Sequence, residues 1–110
     1  MTPGELRIHR QRRKDLSASY QQALNEISAI LFRHDPIGIN FEDNTDEYDP
    51  EAGSVLSRMS DNLSLEQTTT IVHEEFVRWF GRETADPRER YAAVAPQILA
   101  AYQKFAESIR

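Results

Sequence analysis

The sequence predicts an all-α single domain of four to five helices packed around one core, with a long acidic loop between the first two. Three observations carry that expectation. Apolar residues recur at three- and four-residue steps through most of the chain. Helix-start signals fall where those periodic stretches begin. Alternation at period two is confined to Ile37, Ile39 and Phe41, a run too short to find a partner strand. The 110 residues, 39% of them hydrophobic, suffice for one small core.

The first helix is read over residues 16–33, where Leu16, Tyr20, Ala23, Leu24, Ile27, Ile30 and Leu31 form one stripe. It extends back toward Glu5 through residues that favour helix, with Pro3 suited to a first turn. Residues 1–14 are therefore set apart as a basic arm or helix start, and 15–110 as the helical domain. Asp35-Pro36 ends the first helix, because a residue before proline avoids the α region.

Asp49-Pro50-Glu51 starts a short helix over about residues 50–59, with Asp49 as N-cap. Ser60-Asp61-Asn62 breaks it. Ser64 and Gln67 have the spacing of a capping box, and the helix they open runs to Phe80 with Gly81 as its stop. Asp86-Pro87-Arg88-Glu89 repeats the start signal, with Asp86 as N-cap, and apolar positions continue from Tyr91 to Ile109. Pro96 interrupts that pattern and predicts a kink or a split near residues 93–95. Phe76, Trp79, Phe80, Tyr102 and Phe105 are the expected bulky core.

Charge points to the partner class. Net charge is −5, but residues 1–14 hold five bases and one acid, and the other 96 residues hold eight bases and 17 acids. An acidic body repels phosphate, which disfavours nucleic acid and favours a basic protein. The chain has no cysteine, which excludes disulfides, thiolate metal sites and a Cys nucleophile, and fits a reducing cytoplasm. No apolar run reaches the ~18–20 residues of a membrane span, and the first ten residues lack an apolar leader. A cytoplasmic location is expected.

The stretch His34–Glu51 carries seven carboxylates and no Lys or Arg. Helix chemistry accounts for Asp35 at a turn, Asp49 as N-cap and Glu51 in a first turn. Glu42, Asp43, Asp46 and Glu47 have no such role, and with Tyr48 they are the candidate partner-binding residues. A second reading is an acid/base or metal-dependent module built from His34, Asp35, Asp46 and Glu47. Against it, the acidic loop lacks the spacing of a calcium-binding loop, so no metal and no cofactor are assigned. His73-Glu74-Glu75 begins like a zinc-protease helix, but Val77 stands where the second His ligand belongs, and His73 is expected to pack at the core's edge. No nucleophile motif occurs, so no catalytic residue is assigned. A third reading is a structural homo-oligomer in which Arg7–Lys14 of one copy meets the acidic loop of another.

D-P-I-G-I at 35–39 and D-E-Y-D-P-E at 46–51, placed after a helix, resemble a motif of small uncharacterised bacterial proteins in which two or more helices follow. The resemblance covers roughly residues 20–80. It implies an all-α fold and carries no assigned activity. The basic N-terminal extension and the Pro96-bearing last helix depart from it. Some small acidic proteins of this kind sit beside toxin genes and look like immunity proteins, which implies a protein that binds and neutralises a basic toxin domain.

Overall fold

A computed structural model of the chain describes residues 3–38 and 48–109, with side chains from Leu16 onward in the first helix. The described residues form a single all-α domain with no strand. Its elements are α1 (Pro3–His34), α2 (Asp49–Arg58), α3 (Leu65–Phe80), the one-turn α4 (Arg82–Ala85), a 3-10 turn (Arg88–Tyr91) and α5 (Ala95–Ser108). No described helix is long and apolar enough to cross a membrane.

α1 is the long element. Its 32 residues reach about 48 Å at 1.5 Å per residue, more than twice the ~21 Å of α5 that packs along it. Among its described side chains the buried positions, Ala23, Ile27, Ser28, Ile30 and Leu31, keep the expected helical spacing. Leu16 and Tyr20, on the same predicted stripe, are about half exposed, Tyr20 with its ring edge-on to Phe105 of α5 at 6.1 Å. The cover over the stripe thus thins toward Leu16. The basic block falls within the helix, as its propensities predict.

Helix ends follow local chemistry where that chemistry is complete. Ser64 Oγ accepts from Gln67 N at 3.0 Å and Gln67 Oε1 accepts from Ser64 N at 2.8 Å, the reciprocal box read from the sequence. Gly81, at φ 81°, ends α3 in a backbone conformation that costs a β-carbon. α5 starts at Ala95 with Pro96 in its first turn, so the proline opens a helix and the chain splits where expected.

Two expected caps are corrected. Tyr48, not Asp49, is the N-cap of α2, and it makes no side-chain cap bond. Asp49 sits inside the first turn and accepts from Ser28 Oγ on α1. Asp86 does not open a helix either. It ends α4, and its carboxylate meets His73 Nε2 at 2.5 Å. In both cases a partner distant in sequence takes the oxygen that a helix start would have used.

The core is built on Phe76. It is fully buried between two other fully buried rings, Tyr48 at 6.0 Å and Tyr91 at 5.0 Å between centroids. Ile27, Leu31, Val55, Val72, Val94 and Ile98 close around them. Phe80, Tyr102 and Phe105 are only partly buried against this cluster. Trp79 is 49% exposed, which corrects its expected place in the core. Periodicity put Trp79 on the side of α3 that carries Glu75, but in that turn it is Phe80 that packs on the core, its ring 5.7 Å from Phe76.

Candidate functional site

The acidic stretch enters and leaves the domain at one point. α1 ends as Asp35 takes φ 47°, with its N–H still donating to Leu31 O at 2.8 Å. Asp tolerates this left-handed position better than most residues. Pro36 and Ile37 then turn back, closed by Gly38 N–H donating to Asp35 O at 3.2 Å, and Ile37 packs against the core. On the far side Tyr48 re-enters the core, and its hydroxyl donates to Asp35 Oδ1 at 2.6 Å. One hydrogen bond thus joins the residue where the helix stops to the residue where the next begins.

Three of the seven carboxylates are absorbed by the fold. Asp35 accepts from Tyr48, Asp49 accepts from Ser28, and Glu51 is buried in α2. Glu42, Asp43, Asp46 and Glu47 lie outside the described residues. Tyr48 does not share a surface with them: its ring has no exposed area and stacks on Phe76. It braces the end of the stretch from inside.

His34 and Asp35, half of the acid/base quartet, are not brought together. His34, in the last turn of α1, has Nε2 2.8 Å from the side-chain amide of Gln97 on α5. Asp35 is directed at Tyr48. Asp46 and Glu47, the other half, lie outside the described residues. Among the described residues no three His, Asp or Glu side chains converge on a point that could hold a metal ion. His73 packs at the edge of the core as expected, with its ring 5.7 Å from Tyr91.

A polar seam between α2 and α3 was missed by reading the sequence. Glu75 is 1% exposed yet charged. It accepts from Ser54 Oγ and from Arg58 Nη1 at 2.9 Å, and Arg78 Nη2 stands 3.8 Å away. Burial pushes the Glu75 carboxyl upward, but the hydrogen bonds from Ser54 and Arg58 and the charges of Arg78 and Arg58 outweigh it and hold it below the usual range. The second nitrogen of Arg58 binds Glu74 at 2.9 Å, and these two carboxylates raise the Arg58 pKa. The sign follows directly. The stabilisation Glu75 gives is present above the ordinary carboxylate range and is lost as pH falls through its lowered value. Every charge in this seam has its counter-charge, so it fixes α2 against α3 and offers no reactive group. Glu75 in the sequence gives no such hint, since its partners Ser54 and Arg58 lie 21 and 17 residues away.

The fold therefore holds the ends of an acidic stretch and pairs the buried carboxylate of Glu75. No family model, curated protein or solved structure matches the chain.

Proposed function

We propose that the chain is a non-catalytic protein-binding domain whose acidic stretch, residues 34–51, engages a basic protein partner in the manner of an immunity protein covering a toxin. One observation carries the reading. Glu42, Asp43, Asp46 and Glu47 fall in a span with no Lys or Arg, between ends that the Tyr48–Asp35 hydrogen bond ties to the core. A fixed frame lowers the entropy lost on binding, and clustered carboxylates speed encounter with a cationic surface. Glu42, Asp43, Asp46 and Glu47 are the contacting residues in this reading, with Tyr48 as their internal brace. The lack of cysteine suits work in the cytoplasm, where the resemblance to bacterial immunity proteins would also place it.

The test is capture of partners from the native lysate at low and moderate salt by the whole chain. The comparison is with a chain carrying Glu42→Lys, Asp43→Lys, Asp46→Lys and Glu47→Lys. The expected result is a basic protein held by the first and lost from the second, with both melting alike. Equal capture by both would overturn the reading.

A further inference from the structure

We infer that the cleft between the turn at residues 60–63 and the last turns of α5 is a binding site for an alkylammonium ligand. The site is built only from residues outside the acidic stretch, so it does not depend on how that stretch is used.

Two helices carry the chain from the acidic stretch to the cleft. α2 leads away from the Tyr48–Asp35 bond to Arg58, just before the turn. α5 leads away from Gln97, which meets His34, to Glu107. Each path is about ten residues of helix, or roughly 15 Å, so the cleft sits at the other end of the domain.

In the turn, Asn62 takes φ 67°, a left-handed position that asparagine tolerates. Ser60, Asp61 and Asn62 form one wall there. The other wall is a single face of α5, running from Leu99 through Tyr102 and Gln103 to Glu107 at helical spacing. Between the walls is a space of about 390 Å³, within the range of small-molecule sites.

The chemistry of the walls selects the ligand. Asp61 and Glu107 bring one carboxylate from each side, and no Lys or Arg lines the space. Two cations near the walls in sequence are turned elsewhere. Arg58 binds Glu74 and Glu75, and Lys104 binds Glu26 of α1 at 2.9 Å. An anion would find no counter-charge on these walls, and the net charge of −5 repels it further. The same two features attract a cation. Oxygens of Ser60, Asn62 and Gln103 add acceptors for its N–H groups.

The cation is organic. The space is far larger than a metal ion needs, and among the described residues no three His, Asp or Glu side chains converge. Leu63 and Leu99 give the walls an apolar part on which methylene groups can lie, as a lysine stem lies on a protein surface. Tyr102 is partly buried on the same wall, where an aromatic ring attracts an ammonium group. Its hydroxyl donates to Asp61 Oδ1 at 3.5 Å, the outer limit of a hydrogen bond. A carboxylate accepts several donors at once, so an ammonium can join this contact without breaking it.

The test is titration of the full chain with putrescine at constant ionic strength, followed by backbone amide NMR shifts. Saturating shifts are expected at residues 60–63 and 99–107. The uncharged diol of the same length should move none of them. Glu107→Gln and Asp61→Asn should each loosen binding about tenfold, the loss of one charge-assisted hydrogen bond, with melting unchanged. Gln103→Lys sets a tethered ammonium group in the cleft and should weaken binding as well. A second titration, with N-acetyl-lysine amide, reads the source of the ligand. Tighter binding than putrescine assigns the cleft to a lysine side chain of a protein, and weaker binding assigns it to a free amine. Absent shifts, shifts confined to the ends of the acidic stretch, or an equal response to the diol overturn the proposal. So does binding indifferent to both Glu107→Gln and Gln103→Lys. The chain with lysine at positions 42, 43, 46 and 47, which tests the partner reading, should still show putrescine shifts at the cleft. The two readings therefore fail separately.

Discussion

Two tyrosines do the same job at two corners of the molecule by different chemistry. Tyr48 and Tyr91 are both fully buried, both lie against Phe76, and each pins a connecting segment to the core. Tyr91 donates to the backbone carbonyl of Ala85 at 2.6 Å. Tyr48 donates at the same distance to a side chain, the Asp35 carboxylate. A bond to backbone survives any substitution at the accepting residue. A bond to a carboxylate can be cut from either end and carries a charge. The segment tied by backbone, residues 85–91, belongs to the scaffold. The segment tied by a carboxylate is the acidic stretch on which the proposed function rests.

The largest test of this pairing removes the ring they share. Phe76→Ala is expected to cost about 3–5 kcal/mol in chemical denaturation, because both tyrosines lose their packing partner at once. A cost near that of a surface substitution would show that the tyrosines are held by other contacts.

Tyr91→Phe comes next. It leaves the Ala85 carbonyl without its donor inside the core, an expected loss of about 1–3 kcal/mol. It also has a pH signature. Burial, opposed by the charge of Arg90 and reinforced by Asp86, pushes the Tyr91 hydroxyl up from 10.0 to about 12. The folded state keeps this proton where the unfolded chain gives it up. The stability is therefore complete below pH 10 and drains away as pH rises toward about 12. Melting curves across that range should fall more steeply for the native chain than for Tyr91→Phe.

The smallest effect is expected at the other tyrosine. Asp35 is partly exposed, so water can replace the hydroxyl when Tyr48→Phe removes it, and the cost should be about 1 kcal/mol. Asp35→Gly cuts the same bond from the other end and suits the positive φ of that position. The two substitutions together should cost less than the sum of each alone. Asp35→Gly with Tyr91→Phe should be additive within about 0.5 kcal/mol. Additivity in both pairs would show that the Tyr48–Asp35 bond carries no weight.

What the sequence made legible was whatever depends on neighbours in sequence. The Ser64–Gln67 box, the Gly81 stop and the break before Pro96 need only a few residues each, and all three stand as read. Asp49 and Asp86 have the same local signature as caps, but Ser28 and His73 outcompete the helix ends for them, and nothing within one turn of chain reports that. Trp79 shows the limit of periodicity, which tells the side of a helix but not which residue of a turn packs on the core. Glu75 reads as surface because its charge is visible and its partners on α2, Ser54 and Arg58, are not. Of the candidate site, the sequence named four carboxylates with no helix-end role, Glu42, Asp43, Asp46 and Glu47, and these lie outside the described residues. It could not show that Tyr48 faces inward, because an aromatic between acids has the same letters in an interface and in a brace.

The Tyr48–Asp35 bond also separates the fate of the span from the fate of the fold. Ile37 packs on the core just inside it, so the distance from Gly38 to Tyr48 is set by the described residues. The closure cost of the span changes slowly with length, by about 0.6 kcal/mol for each doubling. A change of length between Gly38 and Tyr48 is therefore expected to leave the melting of the helices nearly unchanged. The packing of the helices and the composition of the span are thereby open to separate change, the first read in melting and the second in partner capture.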